Sequence, residues 1–172
     1  MKFTFVPDYR FATFDEASAE FLLSIGVKGL ILDVDNTLEP YENPVPGEHV
    51  LKWFSELSAA GIKCAIVSNN GKERIDKFNE SLGLTAYSKA KKPFKKNVLL
   101  ALKDIGVSKN EAALMGDQVF TDVWAARNAG IKAILVPPIN DKRDIFTRFK
   151  RLLEKPVIRK YNKVNRKENK KI

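Results

Sequence analysis

Short apolar runs, separated by amphipathic stretches, dominate the pattern of this chain. Each run is bounded by glycine, proline or polar residues, which is typical of a strand buried on both faces. Five such runs predict strands at residues 29–34, 62–67, 84–87, 112–115 and 132–136.

Between these runs, apolar residues recur every three or four positions, the spacing of one face of an α-helix. A glycine follows four of these stretches, where a helix commonly ends. The helical positions are Val50, Phe54 and Leu57; Ile75, Phe78 and Leu82; Val98, Leu102 and Ile105; Val123, Ala126 and Ala129; and Ile145, Phe149 and Leu152. Strands that alternate with helices predict an α/β fold with a doubly wound, five-stranded parallel sheet.

The first 28 residues carry an unusual cluster of aromatic side chains, at Phe3, Phe5, Tyr9, Phe11 and Phe14. We interpret this segment as a terminal stretch that lies across the core. The alternative is a surface for a lipid or a protein partner. Phe21 and Ile25 predict a short helix ahead of the first strand.

Length and charge divide the chain into one domain, residues 1–154, and a basic tail, residues 155–172. A chain of 172 residues is the size of a single domain. The tail has eight basic residues and one acidic residue, a net charge of +7, which leaves +2 of the total +9 for the domain. The tail is interpreted as a solvated terminus; an arm that binds RNA or an anionic membrane is the alternative.

Composition favours a cytoplasmic protein. No apolar run approaches the length of a membrane span, and no signal peptide is visible. Cys64 is the only cysteine, so an internal disulfide is excluded, and its apolar neighbours predict a buried thiol.

Two carboxylates lie at the end of the first predicted strand, at Asp33 and Asp35. Placing both at one strand end is costly unless a cation neutralises them, and carboxylate oxygens suit Mg²⁺. One carboxylate can attack phosphorus, and the other can act as acid and base. The alternative is a capped turn, because Asp35, Asn36 and Thr37 are good turn residues.

A hydroxyl and an ammonium follow the next two predicted strands. Ser68, with the backbone N–H groups near it, can hold phosphate oxygens or cap the following helix. Lys92 can offset the charge of a transferred phosphoryl group, and Lys91 is the nearest rival for that role.

Two further carboxylates flank the loop after the fourth predicted strand. Asp117 is a predicted metal ligand, while Asp122 either ligates the metal as well or orients Lys92. Gly116 allows close backbone approach. His49, the only histidine, is expected to be structural or solvated.

These residues, in this order, resemble the phosphatase motifs of the haloacid dehalogenase-like superfamily. The resemblance implies that Asp33 is the nucleophile and Asp35 the acid and base, with Ser68 in the second motif and Lys92 in the third. It implies a metal site for Mg²⁺, with predicted ligands Asp33, Asp35 (through its backbone carbonyl), Asp117 and Asp122. The predicted phosphate-binding residues are Asn36, Thr37, Ser68, Asn69 and Lys92.

The spacing of the motifs leaves no room for a cap domain. Only 32 residues separate Asp35 from Ser68, and 23 separate Ser68 from Lys92, and a loop, two helices and a short strand fill them. The expected fold is a capless, Rossmann-like domain with an open active site.

Finer features, among them Ser68-Asn69-Asn70 and Lys92-Pro93, resemble the YqeG-type members of subfamily III A. Eukaryotic relatives of that subfamily include a mitochondrial phosphatidylglycerophosphate phosphatase. The resemblance implies a Mg²⁺-dependent phosphomonoester phosphatase with an aspartyl-phosphate intermediate, which acts on a phospholipid at the surface of a membrane. The alternatives are a soluble sugar or nucleotide phosphate as substrate, or an RNA- or ribosome-associated binding protein with a weak phosphatase site.

Overall fold

The structure, a computed structural model, describes residues 5–140 and 154–163. Within them, six parallel strands form one sheet in the order β1-β6-β5-β2-β3-β4. The strands are β1 (Tyr9–Arg10), β2 (Gly29–Leu32), β3 (Lys63–Val67), β4 (Thr85–Tyr87), β5 (Ala112–Gly116) and β6 (Lys132–Leu135). The doubly wound parallel α/β fold is confirmed.

The crossovers between strands are helical, as the spacing of apolar residues predicted. The helices are α1 (Ala19–Ser24), α2 (Glu48–Ala59), α3 (Lys72–Asn79), α4 (Lys96–Asp104) and α5 (Trp124–Ala129). A π-helical turn, Val119–Val123, leads into α5. The predicted last helix around Ile145, Phe149 and Leu152 lies outside the described residues.

Alternating strand residues build a core on each face of the sheet, because successive side chains of a strand point to opposite faces. In β2, Leu30 and Leu32 pack with residues of α1, α2 and α3, whereas Ile31 packs with residues of α4 and α5. Both faces are therefore covered, which explains why the strands read as continuous apolar runs. Cys64 is buried in the first of these cores, and burial raises the pKa of its thiol to about 12.

The sheet has six strands rather than the predicted five, because the N-terminal segment adds β1 beside β6. Tyr9 and Phe11 make edge-to-face contacts with Phe21 of α1, so the aromatic cluster anchors this segment. A strand of two residues is too short to produce a periodic signal in the sequence.

Residues 154–163 form a helix, where the sequence predicted a solvated terminus from residue 155. Val157 and Ile158 pack against the core that contains α4 and α5. Glu154 is buried and accepts a hydrogen bond of 2.8 Å from the backbone N–H of Val119. This helix therefore contacts the turn that follows β5.

The strand order reverses between β2 and β5, since the chain winds outward to β4 and returns to β5 on the other side of β2. In open parallel sheets, ligands bind beyond the carboxyl ends of the strands at such a point. We call this edge, with the loops that follow the strands there, the catalytic edge. In the part of the chain that is described, no helix has the length and apolar character needed to cross a membrane.

Candidate active site

Three carboxylates converge at the reversal point of the sheet. Asp33 follows β2, Asp117 follows β5, and Asp122 lies in the π-helical turn; each offers an oxygen within 4.8 Å of the others. All three are buried, with exposures of 8%, 2% and 0%. Buried carboxylates at this separation require a cation, and their oxygens suit a hard divalent ion. Asp33 and Asp117 therefore fit a metal site.

Lys92 supplies a positive charge within this cluster. Its Nζ lies 2.7 Å from Oδ1 of Asp122 and 3.0 Å from Oδ1 of Asp33. Burial by itself lowers the pKa of Lys92, but the adjacent carboxylates of Asp122 and Asp33 outweigh it and raise the pKa above its usual value. Lys92 is thus charged at neutral pH, whereas Lys91, its rival in the sequence, is exposed.

The backbone of Lys92 is held by the side chain of Asn69. Oδ1 of Asn69 accepts from the N–H of Lys92 at 2.7 Å, and Nδ2 donates to its carbonyl at 3.3 Å. Lys89 and Lys91 adopt left-handed backbone conformations, with φ of 47° and 56°. Such conformations are unfavourable for long side chains and persist where the surrounding structure requires them.

Asp122 is held from its second oxygen. Oδ2 accepts hydrogen bonds from the N–H of Gln118 at 3.0 Å and from the hydroxyl of Thr121 at 3.2 Å. Burial raises the pKa of Asp122, and Lys92 opposes that rise. Because Oδ2 of Asp122 accepts two hydrogen bonds and its Oδ1 lies 2.7 Å from the ammonium of Lys92, this geometry favours the orientation of Lys92 over metal ligation.

Asp35 lies against a different set of donors. Nδ2 of Asn70 donates to its Oδ2 at 2.7 Å, and the guanidinium of Arg74 lies 3.1–3.2 Å from its Oδ1. The sequence pattern indicated neither donor. Asn70 follows the predicted pair Ser68-Asn69, but Arg74 lies inside a helix, where no strand end signals a site.

The loop after β2 is organised by Glu39, which sequence analysis also missed. Its buried carboxylate accepts from the N–H of Gly47 and from Nδ2 of Asn43, both at 2.8 Å. Asn36 takes a left-handed conformation, with φ of 62°, and its N–H donates to the carbonyl of Glu39 at 2.7 Å.

The remaining predicted residues lie at the same edge of the sheet. The Thr37 hydroxyl faces Oδ1 of Asp117 at 3.4 Å, and the Ser68 hydroxyl accepts from the N–H of Asn70 at 3.3 Å. His49 is not part of the cluster of Asp33, Asp117 and Asp122; its side chain is 57% exposed, and its Nε2 lies 3.7 Å from a carboxylate oxygen of Glu39.

A family profile and one relative decide the affiliation of this chain. Residues 28–136 match the profile of the haloacid dehalogenase-like hydrolases. A probable phosphatase, YqeG of Bacillus subtilis (strain 168), is 35% identical over 158 residues, which span 92% of each chain. The chain belongs to the haloacid dehalogenase-like hydrolase family. The affiliation predicted from the motifs is confirmed.

More distant relatives in the family are also phosphatases. A phosphoglycolate phosphatase of Agrobacterium fabrum (strain C58) is 30% identical over 53% of this chain and 42% of its own length. A glyceraldehyde 3-phosphate phosphatase of Pyrococcus abyssi is 27% identical over 60% of this chain and 47% of its own. The family and these relatives assign the chain to the phosphatases.

Solved structures agree with the haloacid dehalogenase-like fold. A cobalt-bound deoxy-D-mannose-octulosonate 8-phosphate phosphatase of Haemophilus influenzae aligns with a TM-score of 0.53 at 17% identity, over 64% of this chain and 68% of its own. An uncharacterised protein of Listeria monocytogenes serotype 4b aligns with a TM-score of 0.53 at 21% identity, over 69% and 85% of the two chains. These similarities support the fold alone.

Substitution of Gly116 by alanine tests how closely the site is packed. A Cβ at this position would lie 2.3 Å from Cγ of Asp122, so the carboxylate that contacts Lys92 must move. We expect Gly116→Ala to destabilise the fold by about 1–3 kcal/mol and to lower kcat by about 100-fold. Urea unfolding and phosphatase assays measure the two effects.

Gly71→Ala is the matched control, since a Cβ there meets nothing within 4 Å and the backbone has no positive φ. Wild-type stability and turnover in Gly116→Ala would show that Asp122 does not need its present position.

Proposed function

We propose that this chain is a metal-dependent phosphomonoester phosphatase in which Asp33 attacks the phosphorus atom. The observation that carries the proposal is the placement of Asp33 between the ammonium of Lys92, at 3.0 Å, and the metal-compatible carboxylate of Asp117. A nucleophilic carboxylate needs positive charge around the phosphate that it attacks. Lys92 supplies one such charge at this edge, and a metal ion held by Asp33 and Asp117 would supply the other.

The first half of the proposed reaction transfers the phosphoryl group to the enzyme. A carboxylate oxygen of Asp33 forms a bond to phosphorus while the bond from phosphorus to the ester oxygen breaks. The electron pair of that bond goes to the leaving oxygen, and Asp35 gives it a proton, so that an alcohol leaves.

The second half regenerates the enzyme. Water attacks the phosphorus of the aspartyl phosphate, and Asp35 takes up the proton that the water loses. The bond between phosphorus and the Asp33 oxygen breaks, its electron pair returns to the carboxylate, and inorganic phosphate is released.

Lys92, Ser68 and the loop after β2 would receive the phosphate oxygens. Lys92 offsets their negative charge, and Asp122 orients it. We assign Ser68, Asn36 and Thr37 to phosphate binding, through the hydroxyl of Ser68 and the polar groups of the loop. Asn69 serves the same end through Lys92, whose backbone it holds.

The donor set fits Mg²⁺, an ion that prefers carboxylate and carbonyl oxygens. We propose Asp33, Asp117 and the backbone carbonyl of Asp35 as its protein ligands. When bound there, Mg²⁺ supplies positive charge to the phosphate oxygens.

The surface at the catalytic edge supports a phospholipid headgroup phosphate as the substrate, for example that of phosphatidylglycerophosphate. Of the large apolar side chains that are exposed in the described residues, four lie on loops at this edge: Tyr41, Val45, Phe94 and Ile139. Phe94, 70% exposed, lies on the same loop as exposed Lys91 and Lys95, and exposed Lys96 begins α4 directly after that loop. Aromatic and basic side chains together suit an anionic lipid surface.

The first prediction of the proposed function concerns the nucleophile. Asp33→Asn keeps the shape of the side chain and removes the attacking charge, so kcat should fall by several orders of magnitude. Turnover of p-nitrophenyl phosphate measures the loss, and beryllium fluoride with Mg²⁺ should inhibit the wild-type protein. Near-normal turnover by Asp33→Asn would assign the attack to another group.

The second prediction concerns the metal. Removal of divalent ions with EDTA should abolish turnover and Mg²⁺ should restore it, because Asp33 and Asp117 lie close enough to share one ion. Calorimetric titration of Mg²⁺ into the stripped protein should show one site that is lost in Asp117→Asn. Undiminished activity after thorough chelation would contradict a metal-dependent mechanism.

The third prediction concerns the lipid surface. Phe94→Ser should reduce flotation with phosphatidylglycerol vesicles, because it removes the most exposed aromatic side chain of the catalytic edge. Leu51→Ser is the control, an exposed apolar residue on α2 rather than on a loop of this edge.

Equal flotation of Phe94→Ser and Leu51→Ser would contradict docking through the catalytic edge. Retention of RNA in place of vesicles would favour the binding-protein alternative. Release of phosphate only from soluble sugar or nucleotide phosphates would replace the lipid substrate.

A further inference from the structure

Arg74, the third residue of α3, extends its guanidinium to the catalytic edge. The side chain is only 12% exposed. Nε lies 3.2 Å and Nη2 lies 3.1 Å from Oδ1 of Asp35, and Nη1 donates to the carbonyl of Pro44 at 3.0 Å. Its Cζ lies 5.3 Å from the centre of the Phe78 ring. The guanidinium is therefore fixed by contacts on three sides.

These contacts tie Asp35 to two other parts of the domain. Pro44 lies on the loop between β2 and α2, and Phe78 is a fully buried residue of α3. A planar guanidinium with several donors constrains the orientation of the carboxylate it binds, which an ammonium on a flexible chain does less well. Asn70 holds the other oxygen of Asp35, so the plane of the carboxylate is defined.

The two carboxylates after β2 use separate cations. Asp33 contacts Lys92, whereas Asp35 contacts Arg74. Lys92 is assigned to the phosphate and Asp33, so its charge does not replace that of Arg74 at Asp35. The loss of Arg74 would leave Asp35, which is 6% exposed, without its cationic partner.

We propose that Arg74 is a positioning residue that aims the carboxyl of Asp35 at the leaving oxygen of the substrate. This inference rests on the proposed function, in which Asp35 protonates that oxygen. Because the described residues contain no cap domain, the orientation of Asp35 is set by the core itself, through α3 and the loop after β2. Arg74 also stabilises the carboxylate that remains once the proton has been transferred.

Leaving groups of different basicity test this role. An alkyl phosphate needs protonation as its strongly basic alkoxide departs, whereas p-nitrophenolate departs without it. Arg74→Gln should therefore lower kcat/KM for 2-phenylethyl phosphate on the order of 10- to 100-fold more than kcat/KM for p-nitrophenyl phosphate. Asp35→Asn should show the same preference, since it removes the proton donor itself.

Arg127→Gln is the matched control. Arg127 is also 12% exposed, and it pairs with Asp8 at 2.8 Å and with the carbonyl of Val6, away from the catalytic edge. This variant should change kcat/KM for the two esters by the same factor. Any loss of kcat/KM in Arg127→Gln therefore measures the effect of removing a comparable ion pair on the fold, without a change at Asp35.

The outcomes distinguish a failure of the role proposed for Arg74 from a failure of the proposed phosphatase activity. Equal losses for both esters in Arg74→Gln, or no loss in either, would overturn the positioning role while leaving the phosphatase proposal intact. A wild-type protein that hydrolyses neither ester nor any other phosphomonoester would instead overturn the proposed function.

Arg74→Lys keeps the experiment decisive if Arg74→Gln does not fold. Lysine retains the charge but lacks the planar set of donors that joins Asp35 to Pro44, so the same preference between the esters should appear at smaller size. A ratio identical to that of the wild type would count against the proposal.

Discussion

The ammonium of Lys92, buried between the carboxylates of Asp33 and Asp122, is the interaction on which the rest of the candidate site depends. It offsets carboxylates that would otherwise repel one another in a region of low dielectric. Asn69 holds the backbone of Lys92, and Gly116 leaves space for Asp122. Contributions from β2, β3, β5 and the loop after β4 therefore meet at one charge.

The sequence was most informative where chemistry and strand ends coincide. Parallel strands place their carboxyl ends at one edge, so residues after separate apolar runs, such as Asp33, Lys92 and Asp117, had to lie near one another. The same topology accounts for the five core strands that were predicted and found. The topology does not distinguish Lys92 from Lys91, because both follow the same strand. Only the burial of Lys92 and the exposure of Lys91 separate them.

The features that the sequence did not reveal depend on contacts between distant segments. Arg74 reaches Asp35 across 39 positions from inside an amphipathic helix, where an arginine is expected at the surface. Glu39 holds its loop by hydrogen bonds from Gly47 and Asn43, and the hydrophobic pattern of the sequence gives no sign of these bonds.

β1 pairs with β6 through two residues only, so tertiary contacts rather than local pattern make it a strand. The helix at residues 154–163 was not predicted either. The excess of basic residues there suggested a solvated terminus, although Val157 and Ile158 pack against the core.

Chemical trapping of the phosphorylated intermediate is a direct test of the covalent role of Asp33. The protein is quenched in acid during turnover of a phosphomonoester, and the acyl phosphate is reduced with borohydride, which converts a phosphorylated aspartate to homoserine. Mass spectrometry of the peptide that contains Asp33 should then show homoserine at position 33. Steady turnover with an unmodified Asp33, or with the label at Asp35 or Asp117, would show that Asp33 is not the nucleophile.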